Sequence, residues 1–98
     1  MKSISVEEVQ QLLAAGKELN LIDVREVDEV SVGKIPSAIN MPLGLIEFRM
    51  NELDKSKEYI MVCRSGGRSG QATTFLDNQG FIVMNMDGGM IAWAGDVE

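Results

Sequence analysis

The sequence predicts an α/β fold, a small parallel sheet of four to five strands flanked by helices on both faces. Three observations point there. Short apolar runs at Leu19 to Val24, Ala38 to Met41, Tyr59 to Val62 and Phe81 to Met86 have the length and composition of strands. Stretches with helical spacing alternate with them, and such short connections allow only right-handed crossovers between parallel strands. The run from Tyr59 to Val62 also lacks polar alternation, as a strand covered on both faces should.

Ninety-eight residues make one domain, residues 1–98, with one hydrophobic core. Hydrophobic content of 45% and charged content of 24% are those of an ordinary globular chain. The net charge of −6, nine cations among fifteen anions, argues against a nucleic-acid partner, which would require a basic patch. No long apolar run suggests a membrane span and no basic-then-apolar N-terminus suggests a secretory signal, so the expected location is the cytoplasm. One cysteine excludes an internal disulfide. With no histidine, the usual zinc constellations and histidine-activated nucleophiles are absent too, and no cofactor or metal is expected.

Residues 4 to 16 read as the first helix. Ser5 and Glu8 have capping-box spacing, Ile4 and Val9 can form a hydrophobic staple, and Gly16 is a natural stop. The strand that follows, Leu19 to Val24, ends in Asp23 just before Arg25. Ligands of open parallel sheets collect beyond the carboxyl ends of the strands, so both residues belong near the site as possible supporting groups. The reading adopted for them is scaffolding: Asp23 receives loop amides, and Arg25 pairs with Glu26 or Glu29. Glu26 to Pro36 shows no periodicity and reads as a loop. Leu43 to Leu53 reads as a helix that buries Leu45, Ile46, Phe48 and Met50. Asp87-Gly88-Gly89 then turns the chain into a last short helix bearing Trp93.

The most informative stretch joins the third apolar run to Cys63-Arg64-Ser65-Gly66-Gly67-Arg68-Ser69. A lone cysteine is by default a buried, inert hydrophobe. This one is followed within six residues by two glycines, two arginines and two serines. Paired glycines let successive amides turn inward around one point and form an anion-binding concavity. Beyond Arg68, Ala72, Phe75 and Leu76 recur at helical spacing, which sets the loop at a helix N-terminus where negative charge is favoured. Such surroundings predict an accessible thiol ionised below its usual pKa of about 8.5.

At these residues the chain resembles the rhodanese family, whose sulfurtransferase domains carry a persulfide on one cysteine. Cys63 to Ser69 is similar to the family's active-site loop. Asp23-Val24-Arg25-Glu26, with Glu29, Gly33-Lys34-Ile35-Pro36 and Ala38-Ile39-Asn40-Met41-Pro42, resembles the stretch that precedes it, and Gly88-Gly89-Met90 with Ala92-Trp93 its closing motif. Lys34, Ser37 and Val30 depart from the family pattern, which leaves the packing of their loop open. Four residues separate Cys63 from Arg68, as in sulfur-transferring members; the related phosphatases and arsenate reductases use a loop one residue longer.

The resemblance implies a five-stranded sheet whose remaining edge strand lies near Lys2 to Ile4. It also implies transfer of sulfane sulfur from a small anionic donor such as thiosulfate, through a persulfide on Cys63, to a thiol or protein acceptor. Arg64 and Arg68 would orient the donor, and Ser65, Gly66, Gly67 and Ser69 would complete the ring of donors around the sulfur. Phosphatase or arsenate-reductase chemistry on the same scaffold, and a sulfur carrier without turnover, are the alternatives.

Overall fold

Five strands form the sheet: β1 (Ser3–Ser5), β2 (Leu21–Asp23), β3 (Ile39–Asn40), β4 (Glu58–Val62) and β5 (Ile82–Asp87). In the computed structural model, which describes residues 1–98, they lie in the order β1-β5-β4-β2-β3, and every neighbouring pair is parallel. The edge strand expected near Lys2 to Ile4 is therefore present, displaced by one residue. Both edges are very short, three and two residues, which leaves little unpaired backbone to recruit another chain.

Alternation along β4 builds both layers of the core. Side chains of a strand point to opposite faces in turn. Tyr59, Met61 and Cys63 pack with Ala72 and Leu76 of helix α4 (Gly67–Asn78), whereas Ile60 and Val62 join Val6 and Val9 of helix α1 (Val6–Ala14). Cys63 thus continues the row that faces α4. Parity, not chemistry, decides which side of the sheet receives the sulfur. Full burial of a side chain such as Met61 or Leu76 contributes about 1.5–3 kcal/mol. Neither layer could be lost without unfolding a domain whose net stability is on the order of 5–15 kcal/mol.

The cap of α1 is as the sequence predicts, although the helix is shorter than the 4 to 16 read, because Ser3–Ser5 pair as the edge strand and the last turn closes at Ala15. Ser5 is the N-cap, and its hydroxyl accepts the Glu8 amide at 3.1 Å. Two other readings need correction. The segment read as a loop after Glu26 holds a six-residue helix, α2 (Val27–Val32). It buries no side chain, so it carries no apolar period to read; it is fixed at its start by the Glu26 amide donating to the Glu29 carboxylate at 3.0 Å. The helix read at Leu43 to Leu53 is broken into a 3₁₀ turn Leu43–Leu45, a single α turn α3 (Ile46–Arg49) and a second 3₁₀ turn Met50–Glu52. In this shape only Ile46 is buried, while Leu45 and Phe48 are exposed, Phe48 by 84%.

The loop that departs from the family pattern is tied by Lys34. Its ammonium donates to the carbonyls of Pro36 at 2.9 Å and Ala38 at 3.2 Å and pairs with Glu98 at 3.0 Å. The last helix, α5 (Gly89–Ala92), is a single turn, with Trp93 at its C-terminal cap. No helix is long and apolar enough to cross a membrane.

Candidate active site at Cys63

β4 ends at Val62, α4 starts at Gly67, and the residues between wrap around one sulfur atom. Gly66 takes φ +104°, a left-handed conformation that costs a side-chain-bearing residue about 1–2 kcal/mol. That turn aims its amide inward, and the Gly66 N–H donates to Cys63 Sγ at 3.0 Å. Ser69, fully buried in the first turn of α4, places its hydroxyl 3.3 Å from the same sulfur. Burial pushes the thiol pKa up, but the Ser69 hydroxyl together with the amides of Ser69, Gly66 and Ser65 outweighs it and holds the thiol below its ordinary value.

Against the expectation of an accessible thiol, Cys63 is only 1% exposed. Its sulfur forms the floor of the loop, whereas Arg64, Ser65 and Gly67 stand in solvent around it. The hollows on the surface lie elsewhere. A cavity of about 450 Å³ sits between α1, the Ile35 to Ser37 segment and Trp93, away from the thiol.

The loop is also braced from behind. Cys63 and Arg64 give their backbone carbonyls to the amides of Met90 and Ile91, each at 2.9 Å. Gly89 makes this approach possible: it has φ +59°, and a Cβ there would lie 2.5 Å from the Arg64 carbonyl oxygen. The Gly88-Gly89-Met90 motif is thus a support for the cysteine loop.

The two arginines of the loop differ. Arg68 grips Glu29 of α2 with both of its terminal guanidinium nitrogens, Nη1 donating to Oε1 and Nη2 to Oε2 at 2.8 Å, so part of its charge is offset by a structural partner. Those hydrogen bonds, together with the Glu26 amide, lower the Glu29 pKa to about 2 despite some opposing burial. Arg64 is exposed and forms no ion pair.

Asp23 and Arg25 are placed otherwise than expected. Asp23 is registered against Val62, whose side chain serves the α1 face, so it points away from the side that Cys63 occupies. Arg25 pairs with Asp23 itself, not with Glu26 or Glu29: Nη2 donates to Oδ2 at 2.8 Å and also to the Gly33 carbonyl at 2.8 Å. Asp23 does receive a loop amide, that of Arg25, at 3.1 Å. The pair closes the α2 loop against the end of β2.

One residue of the site was not singled out from the sequence. Asn85 of β5 is buried, accepts the Ser69 hydroxyl, and donates to the Gly66 carbonyl at 3.2 Å. Its signal is a lone amide side chain inside the apolar run Phe81 to Met86.

A five-stranded parallel sheet carrying a cysteine in a ring of amides at the end of its middle strand is the architecture of a rhodanese-like domain. The chain belongs to that family: the Rhodanese-like domain matches residues 5–96. It is 46% identical over 98 residues to YtwF of Bacillus subtilis (strain 168), provisionally named a sulfurtransferase, covering 100% of this chain and 95% of that one. It is 41% identical over 95 residues to a protein of Allochromatium vinosum named sulfurtransferase, covering 96% of this chain and 89% of that one. Among solved structures, a rhodanese-like domain protein from Staphylococcus aureus superposes with a TM-score of 0.94 at 34% identity, covering 100% of this chain and 97% of that one.

Proposed function

We propose that this chain is a sulfurtransferase that carries sulfane sulfur as a persulfide on Cys63. The observation that carries the reading is the Gly66 amide donating to Cys63 Sγ at 3.0 Å from a left-handed turn, with the Ser69 hydroxyl beside it. Donors fixed before reaction stabilise a sulfur anion without acid or base, and none of the side chains around this thiol is a histidine. The names of the Bacillus and Allochromatium relatives support the same chemistry.

The Cys63 thiolate attacks the outer sulfur of an anionic donor such as thiosulfate. A new sulfur–sulfur bond forms at Sγ, the donor's own sulfur–sulfur bond breaks, and sulfite leaves with the electron pair. A thiolate acceptor, or cyanide in vitro, then attacks the outer sulfur and returns Cys63 to the thiolate. Arg64, exposed at the rim, meets the donor anion. Arg68 holds positive charge near the sulfur while anchored to Glu29. The acidic body around this short basic loop directs anions to it.

Incubation with thiosulfate is expected to add about 32 Da to the intact wild-type protein, the mass of one persulfide sulfur. Cys63→Ala should show no gain. An unchanged wild-type mass would count against the proposal, and hydrolysis of an aryl phosphate without sulfur uptake would select phosphatase chemistry instead. A carrier role is a second reading, favoured by the 40% identity to YrkF of Bacillus subtilis, provisionally named a sulfur carrier protein, of which this chain spans 52%. Loading without multiple turnover on thiosulfate and cyanide would select it.

A further inference from the structure

Ser69 has one hydroxyl proton and two acceptors within reach, the Cys63 sulfur and the Asn85 side-chain oxygen. The orientation of the Asn85 amide is fixed. Its nitrogen donates to the Gly66 carbonyl at 3.2 Å and to the Asp87 carboxylate at 3.3 Å, both of which can only accept, so its oxygen must face Ser69. All three members of the row are buried: Cys63 at 1%, Ser69 at 0% and Asn85 at 4% exposure. Within that enclosure the single proton has to be shared.

The geometry points to Asn85 as a positioning residue that holds the Ser69 proton while Cys63 is neutral and gives it up when the sulfur ionises. In the thiol state the chain runs in one direction: the Cys63 S–H donates to Ser69 Oγ, and the Ser69 O–H donates to Asn85 Oδ1. Every buried group then has a partner. When the thiol proton leaves to solvent, the sulfur becomes the stronger acceptor, the Ser69 hydroxyl rotates to it, and Asn85 Oδ1 loses its donor. A buried carbonyl without a donor is unfavourable, so Asn85 opposes ionisation while Ser69 favours it. The two residues act on the same sulfur with opposite signs.

The charged groups around this row are few. Arg68 of α4 is paired with Glu29 of α2, Asp87 stands at the end of β5, and Asp23 pairs with Arg25 at the end of β2. Arg64 follows Cys63 in the exposed rim, α5 presents no charge, Glu47 of α3 is exposed, and Arg49 pairs with Glu52. None of these charged groups is itself replaced in the variants below, although Asn85→Leu removes the amide that donates to Asp87. The Gly66 carbonyl also keeps the Gly70 amide at 3.0 Å when Asn85 is replaced, so the left-handed turn retains an anchor.

The inference concerns the thiol alone, so its test needs no sulfur donor and is separable from the persulfide test. The titration midpoint of Cys63 is read from thiolate ultraviolet absorbance. Asn85→Leu is expected to lower the midpoint by about one pH unit, Ser69→Ala to raise it, and the double variant to match Ser69→Ala. A merely structural Asn85 predicts otherwise: loosening the loop would move both single variants upward. A midpoint in Asn85→Leu that is unchanged or raised overturns the proposal. Should that variant not fold, carbon-13 spectroscopy of the wild type decides. The Asn85 side-chain carbonyl resonance should move with the Cys63 titration and stop doing so in Ser69→Ala; a resonance that stays flat in the wild type, or still moves in Ser69→Ala, overturns it.

Discussion

Gly89→Ala is expected to destabilise the domain by at least about 3 kcal/mol and to disturb the thiol as well. Two costs combine. A side-chain-bearing residue at φ +59° loses about 1–2 kcal/mol, and the new Cβ would stand 2.5 Å from the Arg64 carbonyl oxygen and 2.7 Å from that of Cys63. Both neighbours are backbone, so neither can swing aside. The turn must back away, and the bonds from the Met90 and Ile91 amides to those same carbonyls lengthen or break. Denaturant unfolding should show a lower midpoint with an unchanged slope. Gly67→Ala is the internal control. Its Cβ would meet nothing within 4 Å, so it should change stability little. A Gly89→Ala protein within about 0.5 kcal/mol of wild type would contradict the bracing role assigned to this motif.

The second large effect is expected at the Asp23–Arg25 pair. Asp23 is fully buried and Arg25 is 7% exposed, and they meet through the guanidinium Nε and Nη2. Removing one partner leaves the other charge buried alone, which costs roughly 3–5 kcal/mol. Asp23→Leu and Arg25→Leu should each lose that much. The double variant should lose far less than their sum, because no unpaired charge remains. Additive losses across this cycle would show that the two residues contribute separately. Since the pair faces away from the sulfur, the double variant should keep its Cys63 titration, a result that direct participation of Asp23 or Arg25 would not give.

How much of this was legible in the sequence depended on how local the cause was. Ser5 capping α1 is settled within four residues, and it was read correctly. The strand leading to Cys63 and the helix after it were visible because their apolar spacings differ so sharply from the Gly-rich loop between them. α2 was invisible for the opposite reason. It buries nothing and is held by the Glu26 amide and by Arg68, thirty-nine residues away from Glu29. Long-range partners of this kind leave no period to find. A continuous helix over Leu43 to Leu53 would bury Phe48; the two 3₁₀ turns around α3 rotate it into solvent.

The candidate site divides along the same line. Cys63 stands out by its Gly- and Arg-rich flank, the resemblance adds Gly66 and Ser69 around it, and the structure brings all three together. The partner of Arg25 was misassigned, since strand parity alone does not say which carboxylate a guanidinium will meet. Asn85 was passed over inside an apolar run, although a single amide there must find partners once buried. It found them in Asp87 and in Ser69 and Gly66, both of which donate to the sulfur.

The thiol itself offers the most direct measurement. Following thiolate absorbance of the wild-type protein against pH, with Cys63→Ala as the blank, should place the Cys63 midpoint below the ordinary value of about 8.5, so that the nucleophilic form persists to lower pH and disappears as pH falls through that midpoint. A midpoint at or above the ordinary value would mean that burial outweighs the amides and the Ser69 hydroxyl, and the loop would then not be the anion cradle described.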